Sequence, residues 1–460
     1  MTIRSFTRTL WFSVALLIAG PVSAEPGQTG ATIADLMQQA AKAYADKDYS
    51  TWADVLEKLH AKRPYNQDFM RQLVIAYAGA GDRSRAFNFM LMMQQQGLSE
   101  NWDEIEGLDS LRDFPLYGYL RDLMREAGQP HGNAEVVAEI DPRWPMPEGI
   151  ALDPDSGKLY VGTIHDGVIL TKSPDTDTFE VFADADRVPE LKAVMALAVD
   201  ASRDVLWAAT GSISQYRDYR LSDFGRTALL AFNLEDGKLI GVHPVLPDGL
   251  PHLLGALSIA DDGSVYAADT LTPIIYRLKP GEARPEALIK TPMLVSLRGI
   301  ALSPDQRKLY VADNETGIYL FDLADDYKAY KLGAAPTLNL GGIDGLLHWN
   351  NSLVIIQNGI SPQRVMRLDL NEAGTAVEQV AALAVALPDF DMPTWGTLAG
   401  DDLLYFASSH WHKVDSRGRP TVKEGLPPVK VLKSAVDHAE EIVVGKEIIE
   451  RIKQGEGTDY

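Results

Sequence analysis

One phrase recurs six times from residue 148 onward, and this repeat constrains the fold more than any other feature. Each copy starts with small and aliphatic residues, passes through an Asp, Gly or Asn turn, and continues into a second apolar run, as in EGIALDPDSGKLYVG at 148–162. The copies begin at residues 148, 195, 255, 298, 344 and 395. Four-stranded propeller blades repeat every roughly 40 to 50 residues. The pattern therefore predicts a six-bladed β-propeller over residues 135–425.

The segments that flank the repeats predict how the ring closes. Val136–Ile140 precedes the first copy, and we expect it to supply the outer strand of the last blade. After Pro427 and Pro428, the sequence predicts an added edge strand at Val429–Leu432 and an amphipathic helix at Ala435–Lys453. Residues 426–460 would then form a C-terminal edge strand and helical tail.

Residues 32–128 have helical periodicity instead. Ile33, Leu36, Met37 and Ala40 follow the three- and four-residue spacing of one helix face. The Ala-Tyr-Ala run at 43–45 returns at 76–78, an offset of 33 residues that resembles tetratricopeptide (TPR) repeats. Two such units are too few to be stable alone, so we expect this region to pack on the propeller. Its role is either a groove for a protein or peptide partner or a structural appendage.

The N-terminus and the composition predict the compartment. Arg4 and Arg8 precede an apolar run at 10–20, and Val-Ser-Ala at 22–24 is typical of a cleavage site, so residues 1–24 are interpreted as a signal peptide. The chain has no cysteine and carries 43 basic against 64 acidic residues, a net charge of −21. These features predict a periplasmic or secreted protein with no lipid-modified cysteine, no membrane span and no nucleic-acid partner.

The propeller repeats resemble the senescence-marker-protein/gluconolactonase family. The resemblance rests on Pro147-Glu148-Gly149 in the first copy, LYVAD at 309–313 in the fourth, and IDGL at 343–346 in the fifth. It implies a calcium- or zinc-dependent lactonase whose metal lies at the top of the channel. The family's ligands are a Glu, an Asn and an Asp that open the first, fourth and fifth blades. Glu148 and Asp344 match, whereas Arg298 stands in place of the Asn.

Arg298 changes the chemistry that this site can perform. A guanidinium offers hydrogen-bond donors and a permanent positive charge, so it cannot bind a cation. Three interpretations remain open: a divalent ion held by Glu148 and Asp344, a salt-bridged plug, or an arginine that binds a substrate carboxylate or lactone carbonyl. In the enzymatic interpretation Glu148, Asp344 and Arg298 are the catalytic candidates.

Further candidates for substrate binding lie in loops expected at the top face. They are His165, Asp269, Asn314, Asn358, His410 and Trp411, and, in an insertion of the second copy, Tyr216 and Arg217. The resemblance implies hydrolysis of a lactone or related ester derived from a sugar. The alternative is a non-catalytic scaffold that binds a ligand or protein through the propeller and the TPR-like helices.

Overall fold

The computed structural model describes residues 31–438, which form a helical region followed by six β-sheets. The α-helices are α1 (Ile33–Ala45), α2 (Tyr49–Lys62), α3 (Gln67–Gly79), α4 (Arg83–Gln95), α5 (Asp109–Arg112) and α6 (Pro115–Ala127). Short 3₁₀ helices span Trp102–Glu104, Ala201–Arg203, Leu221–Asp223 and Trp411–Lys413. This arrangement confirms the predicted fold class of a short helical region before a six-bladed propeller.

The strands follow in chain order. They are β1 (His131–Gly132), β2 (Glu135–Ile140), β3 (Pro147–Leu152), β4 (Leu159–Thr163), β5 (Val168–Lys172), β6 (Glu180–Asp184), β7 (Ala193–Asp200), β8 (Val205–Gly211), β9 (Thr227–Asn233), β10 (Leu239–Pro244), β11 (Leu254–Ile259), β12 (Val265–Asp269), β13 (Ile274–Leu278), β14 (Glu286–Lys290), β15 (Leu297–Leu302), β16 (Lys308–Asp313), β17 (Gly317–Asp322), β18 (Lys328–Lys331), β19 (Ile343–Trp349), β20 (Ser352–Gln357), β21 (Arg364–Leu370), β22 (Val377–Val385), β23 (Thr394–Ala399), β24 (Asp402–Phe406) and β25 (Val429–Ala435).

Each sheet is an antiparallel blade whose first strand lies at the centre of the ring. Blades one to four are β3–β6, β7–β10, β11–β14 and β15–β18, and blade five is β19–β22 with the short β1 added at its outer edge. The inner strands β3, β7, β11, β15, β19 and β23 pack on one another around the ring. They line a cavity of ≈ 220 Å³ that is open to solvent.

Blade six closes the ring with a strand from the start of the propeller. Its order is β23-β24-β25-β2, so β2 is the outer strand, as the sequence predicted for Val136–Ile140. The prediction of an edge strand at Val429–Leu432 is wrong, because β25 is paired with β24 on one side and β2 on the other. The sequence does not show that β25 lies between β24 and β2, because the long loop 407–428 separates β25 from β24.

The first four helices begin at side chains that bind the free backbone N–H groups of the first turn. Thr32, Asp48, Asn66 and Asp82 each accept a hydrogen bond from the backbone N–H three residues later. The apolar faces of the helices form one buried cluster, which also includes Ile360 of blade five. The helical region therefore packs on the propeller as expected, whereas its TPR type stays a prediction.

Two expectations lie outside the described residues. These are the signal peptide at 1–24 and most of the helix expected at Ala435–Lys453, of which Ala435 itself ends β25. Within residues 31–438, no helix is long and apolar enough to cross a membrane.

Candidate functional site

A β-bulge marks the start of every inner strand, at the residue that opens the repeated phrase. In each blade the pairing between the first and second strands shifts there by one residue. A bulge leaves one residue without a cross-strand partner and redirects its side chain. The residues at these six positions are Glu148, Met195, Gly255, Arg298, Asp344 and Trp395. Because the inner strands converge on the channel, the bulges bring Glu148, Arg298 and Asp344 to one mouth.

Glu148 is buried at this mouth, with 6% of its surface exposed. Trp395 Nε1 donates to its Oε1 over 3.2 Å, and Trp411 Nε1 donates to its Oε2 over 2.9 Å. Burial and the nearby negative charge of Asp344 raise the pKa of Glu148 to about 8, although the two indole hydrogen bonds and the charge of Arg298 act in the opposite direction. Glu148 therefore holds a proton at neutral pH.

Asp344 is positioned by a different set of donors. Asn358 Nδ2 donates to Asp344 Oδ2 over 2.8 Å, and the Thr394 hydroxyl donates to the same oxygen over 2.7 Å. The second oxygen, Oδ1, accepts no hydrogen bond from residues 31–438. Asp344 is half-buried, so Oδ1 is left for water or a ligand.

Arg298 lies close enough to Glu148 for its charge to lower the pKa of that carboxyl, and it acts similarly on Glu315 at the edge of the mouth. Among the described residues, however, no carboxylate lies within ion-pair distance of Arg298, and its side chain donates no hydrogen bond. The interpretation of a salt-bridged plug is therefore wrong. The guanidinium is available to an acceptor from outside the protein.

The donors at the mouth do not fit the divalent ion that the resemblance implied. Two indole N–H groups occupy both oxygens of Glu148, the third family position is a guanidinium, and residues 31–438 contain no group of three His, Cys, Asp or Glu side chains able to hold a metal. Calcium and zinc require several oxygen or nitrogen lone pairs. The mouth therefore lacks the donors that a metal held by Glu148 and Asp344 would need.

Of the remaining candidates, Asn358 and Trp411 join the mouth through the bonds described above. Asn314 lies one step further away, because its Nδ2 donates to the backbone oxygen of Ile343, next to Asp344. Tyr216 is buried in an apolar cluster with Met146 and Met195, against which Trp411 packs. Tyr216 therefore supports the indole that binds Glu148.

Two other candidates are engaged elsewhere by hydrogen bonds or ion pairs. His165 Nδ1 bonds the backbone oxygen of Gln215 over 2.8 Å. Arg217 is shared among three carboxylates, those of Asp166, Asp186 and Asp218. Neither residue contacts Glu148, Arg298 or Asp344 through a hydrogen bond or ion pair.

Asp269 and His410 are held by hydrogen bonds to other parts of the protein. Asp269 is fully buried and accepts the N–H groups of Leu253, Leu271 and Thr272, together with a 2.6 Å bond from His252 Nδ1. His410 accepts the N–H of Met146 at Nδ1 and donates from Nε2 to the oxygen of Pro427.

Burial also lowers the pKa of His410. With both ring nitrogens bonded to the backbone, this imidazole has no free position for a proton from a substrate. It fixes the loop that carries Trp411 instead.

Two residues of the mouth were not predicted from the sequence to belong to the site. Trp395 occupies the same repeat position as Glu148 and Asp344, so the alignment of the six copies contained a signal for it. Its φ of 26° lies in the left-handed region that side chains disfavour, a type of strain that concentrates at functional sites. Thr394 had no sequence signal, because its hydroxyl reaches Asp344 only through the packing of blades five and six.

The fold and the mouth together define a six-bladed propeller with a carboxyl pair and an arginine on its axis. No protein-family model and no curated protein matches the chain. Solved structures similar to it include a gluconolactonase from Xanthomonas campestris, with 17% identity and a TM-score of 0.45 over 65% of this chain and 89% of that one. The calcium-binding protein regucalcin from Agrobacterium tumefaciens has 15% identity and a TM-score of 0.45 over 67% and 97%.

A PQQ-bound aldose sugar dehydrogenase from Streptomyces coelicolor is also similar, with 16% identity and a TM-score of 0.44 over 66% of this chain and 100% of that one. These similarities concern the architecture.

Proposed function

We propose that the chain is an exported hydrolase that opens a lactone ring, or cleaves a related ester, at the mouth of the propeller channel. The observation that carries the proposal is the pair formed by Glu148 and Asp344. Burial and the charge of Asp344 raise the pKa of Glu148 to about 8. A protonated carboxyl beside a carboxylate supplies a general acid and a general base at neutral pH.

Asp344 is suited to the role of base. Its Oδ2 is held by Asn358 and Thr394, which leaves Oδ1 to accept a proton from water. As that proton moves to Oδ1, the water oxygen forms a bond to the lactone carbonyl carbon, and the carbonyl electron pair moves onto its oxygen. The result is a tetrahedral oxyanion.

Arg298 and Glu148 complete the reaction. The Arg298 guanidinium has no protein acceptor within residues 31–438, so it can donate hydrogen bonds to the oxyanion and stabilise the transition state. When the oxyanion collapses, the ring carbon–oxygen bond breaks and Glu148 donates its proton to the leaving alkoxide. The products are a hydroxyl and a carboxylic acid, and the proton on Asp344 returns to Glu148.

The test is ring opening of several γ- and δ-lactones, corrected for spontaneous hydrolysis. Asp344→Asn should lower kcat by about a hundredfold or more, because it removes the base. Asp166→Asn is the matched control, since Asp166 is a half-buried acid on the same face that pairs with Arg217. The control should keep wild-type turnover.

A wild-type protein that opens none of these lactones would contradict the proposal. If such a protein still bound sugar acids or lactones, it would belong to the alternative class, a non-catalytic binding propeller. Elemental analysis of protein purified without chelator tests the metal separately.

A further inference from the structure

The turn between α2 and α3, residues 63–66, lies on the top loops of blades four and five. The Tyr65 side chain leaves no space for a side chain at two propeller glycines. A Cβ added at Gly341 would lie 2.5 Å from Tyr65 Cβ, and one at Gly317 would lie 2.8 Å from Tyr65 Cε2. Asn339 Nδ2 also donates to the backbone oxygen of Tyr65. This close fit fixes the turn beside the channel mouth.

The same turn brings a second guanidinium to the mouth. Arg63 Nε lies 3.3 Å from Glu315 Oε2, and the two side chains are only 16% and 32% exposed. Glu315 follows β16, and the Asn66 side chain lies near it. Burial raises the pKa of Glu315, while the positive charges of Arg63 and Arg298 oppose that rise. Glu315 therefore lies within electrostatic reach of one cation from the helices and one from the channel.

We propose that Arg63 is a positioning residue that holds Glu315 away from Arg298 and so keeps Arg298 available to the substrate. A half-buried carboxylate and a nearby guanidinium attract each other strongly. With Arg63 in place, Glu315 already has an ion-pair partner. Without Arg63, Arg298 remains as a cation whose charge acts on Glu315. The helical region would then be part of the active site; this inference rests on the function proposed above for Arg298.

The experiment compares three variants of the full chain. Arg63→Gln should lower kcat/KM for a lactone by about tenfold, because Glu315 would compete with the oxyanion for Arg298. The double variant Arg63→Gln with Glu315→Gln should recover wild-type kcat/KM, because the competing carboxylate is gone. Arg71→Gln is the matched control, since Arg71 forms an ion pair of the same 3.3 Å length with Glu100 inside the helical region.

A second readout does not depend on turnover. Gluconate carries the carboxylate of an opened sugar lactone, and calorimetry can measure its binding to each variant. We expect Arg63→Gln to weaken gluconate binding by about tenfold and the double variant to restore it. If Arg63→Gln fails to fold, Asn66→Asp replaces it, because Asp retains the cap of α3 while its charge repels Glu315 toward Arg298.

The outcomes separate this inference from the proposed function. Turnover in the wild type with Arg63→Gln equal to Arg71→Gln overturns the role of Arg63 and leaves the lactonase standing. Absence of turnover, with gluconate binding that Arg63→Gln weakens and the double variant restores, supports the role of Arg63 and overturns the lactonase. A double variant that stays as weak as Arg63→Gln shows ordinary structural damage and contradicts the inference. Loss of both turnover and gluconate binding in the wild type overturns both.

Discussion

Glu148 acquires its chemistry from its neighbours. An exposed glutamate is ionised at neutral pH, but burial beside Asp344 raises the pKa of Glu148 to about 8. The two indoles that bond it stabilise the charged form and keep the pKa from rising further. Trp395 and Trp411 therefore set the pH range in which Glu148 can act as an acid.

Replacing one of these indoles should move the upper pH limit of activity. Trp411→Phe removes the donor to Glu148 Oε2, so the pKa of Glu148 should rise and the alkaline decline of kcat/KM should shift upward by about one pH unit. Trp144→Phe is the control, because the Trp144 Nε1 is buried without a hydrogen-bond partner among the described residues. An unchanged pH profile for Trp411→Phe would contradict the role of this indole.

At this scale the sequence identified positions better than roles. Glu148, Arg298 and Asp344 could be predicted because each opens a repeat and all six openings converge. Asp269 and His410 could not be interpreted in this way. Their environments depend on hydrogen bonds to distant backbone groups, such as those of Met146 and Pro427 for His410.

At the scale of elements, each bulge acts together with the small residue that follows it. The bulge directs a side chain to the mouth, and the next residue is Gly149, Ala196, Ala256, Gly299, Gly345 or Gly396. Small residues are needed there because neighbouring inner strands approach closely. A Cβ at Gly299 would lie 2.5 Å from the Cβ of Leu346 and 3.0 Å from its backbone nitrogen.

Gly299→Ala should consequently destabilise the ring by about 2 kcal/mol, since Leu346 and β19 must move to make room. Gly345→Ala is the matched variant in the next blade, where the nearest atom is the flexible end of Ile356 at 3.1 Å. We expect this second change to cost less than about 1 kcal/mol. Thermal midpoints measured at one heating rate test the difference, and equal midpoints would contradict it.

The close approach of neighbouring inner strands therefore explains why the sequence has small residues at the start of each repeat. The misinterpreted element was Val429–Leu432, because strand pattern alone does not tell an edge strand from an interior one. That distinction depends on which strands lie on either side, and here β2 comes from almost 300 residues earlier in the chain.

At the scale of the whole molecule, polar contacts join the helices to blade five. Ser361 donates its backbone N–H to Gln67 Oε1 over 2.7 Å, and Gln67 Nε2 donates to the oxygen of Ser99. The buried Arg364 bonds Gln357 and the backbone oxygen of Gln96 at the end of α4. A cation at a helix C-terminus is favourable, which compensates in part for a burial that lowers the pKa of Arg364 to about 10.

Gln67→Ala should weaken this joint, the set of polar contacts between the helical region and blade five. It leaves the Ser361 N–H and the Ser99 oxygen without their partner, at a cost of about 1–3 kcal/mol. Gln72→Ala, a change of the same type on the same helix, makes no comparable loss because the Gln72 side chain has no hydrogen bond within residues 31–438. Limited proteolysis should cleave the helical region of Gln67→Ala faster than that of Gln72→Ala. Equal cleavage rates would show that these bonds do not hold the joint.

The architecture was largely predictable, because the six repeats fix the number of blades and the segment before them closes the ring. The position of the helical region beside the mouth could not be predicted. It depends on contacts such as Arg63 with Glu315, which join residues with no related sequence pattern.

The acid–base site is tested most directly by the pH profile of lactone opening, measured on protein freed of metal with a chelator. We expect turnover to survive the chelator and to decline above about pH 8, as the proton of Glu148 is lost. Turnover that appears only when calcium or zinc is added back, or that continues to rise well above that pH, would contradict an acid–base site built from Glu148, Asp344 and Arg298.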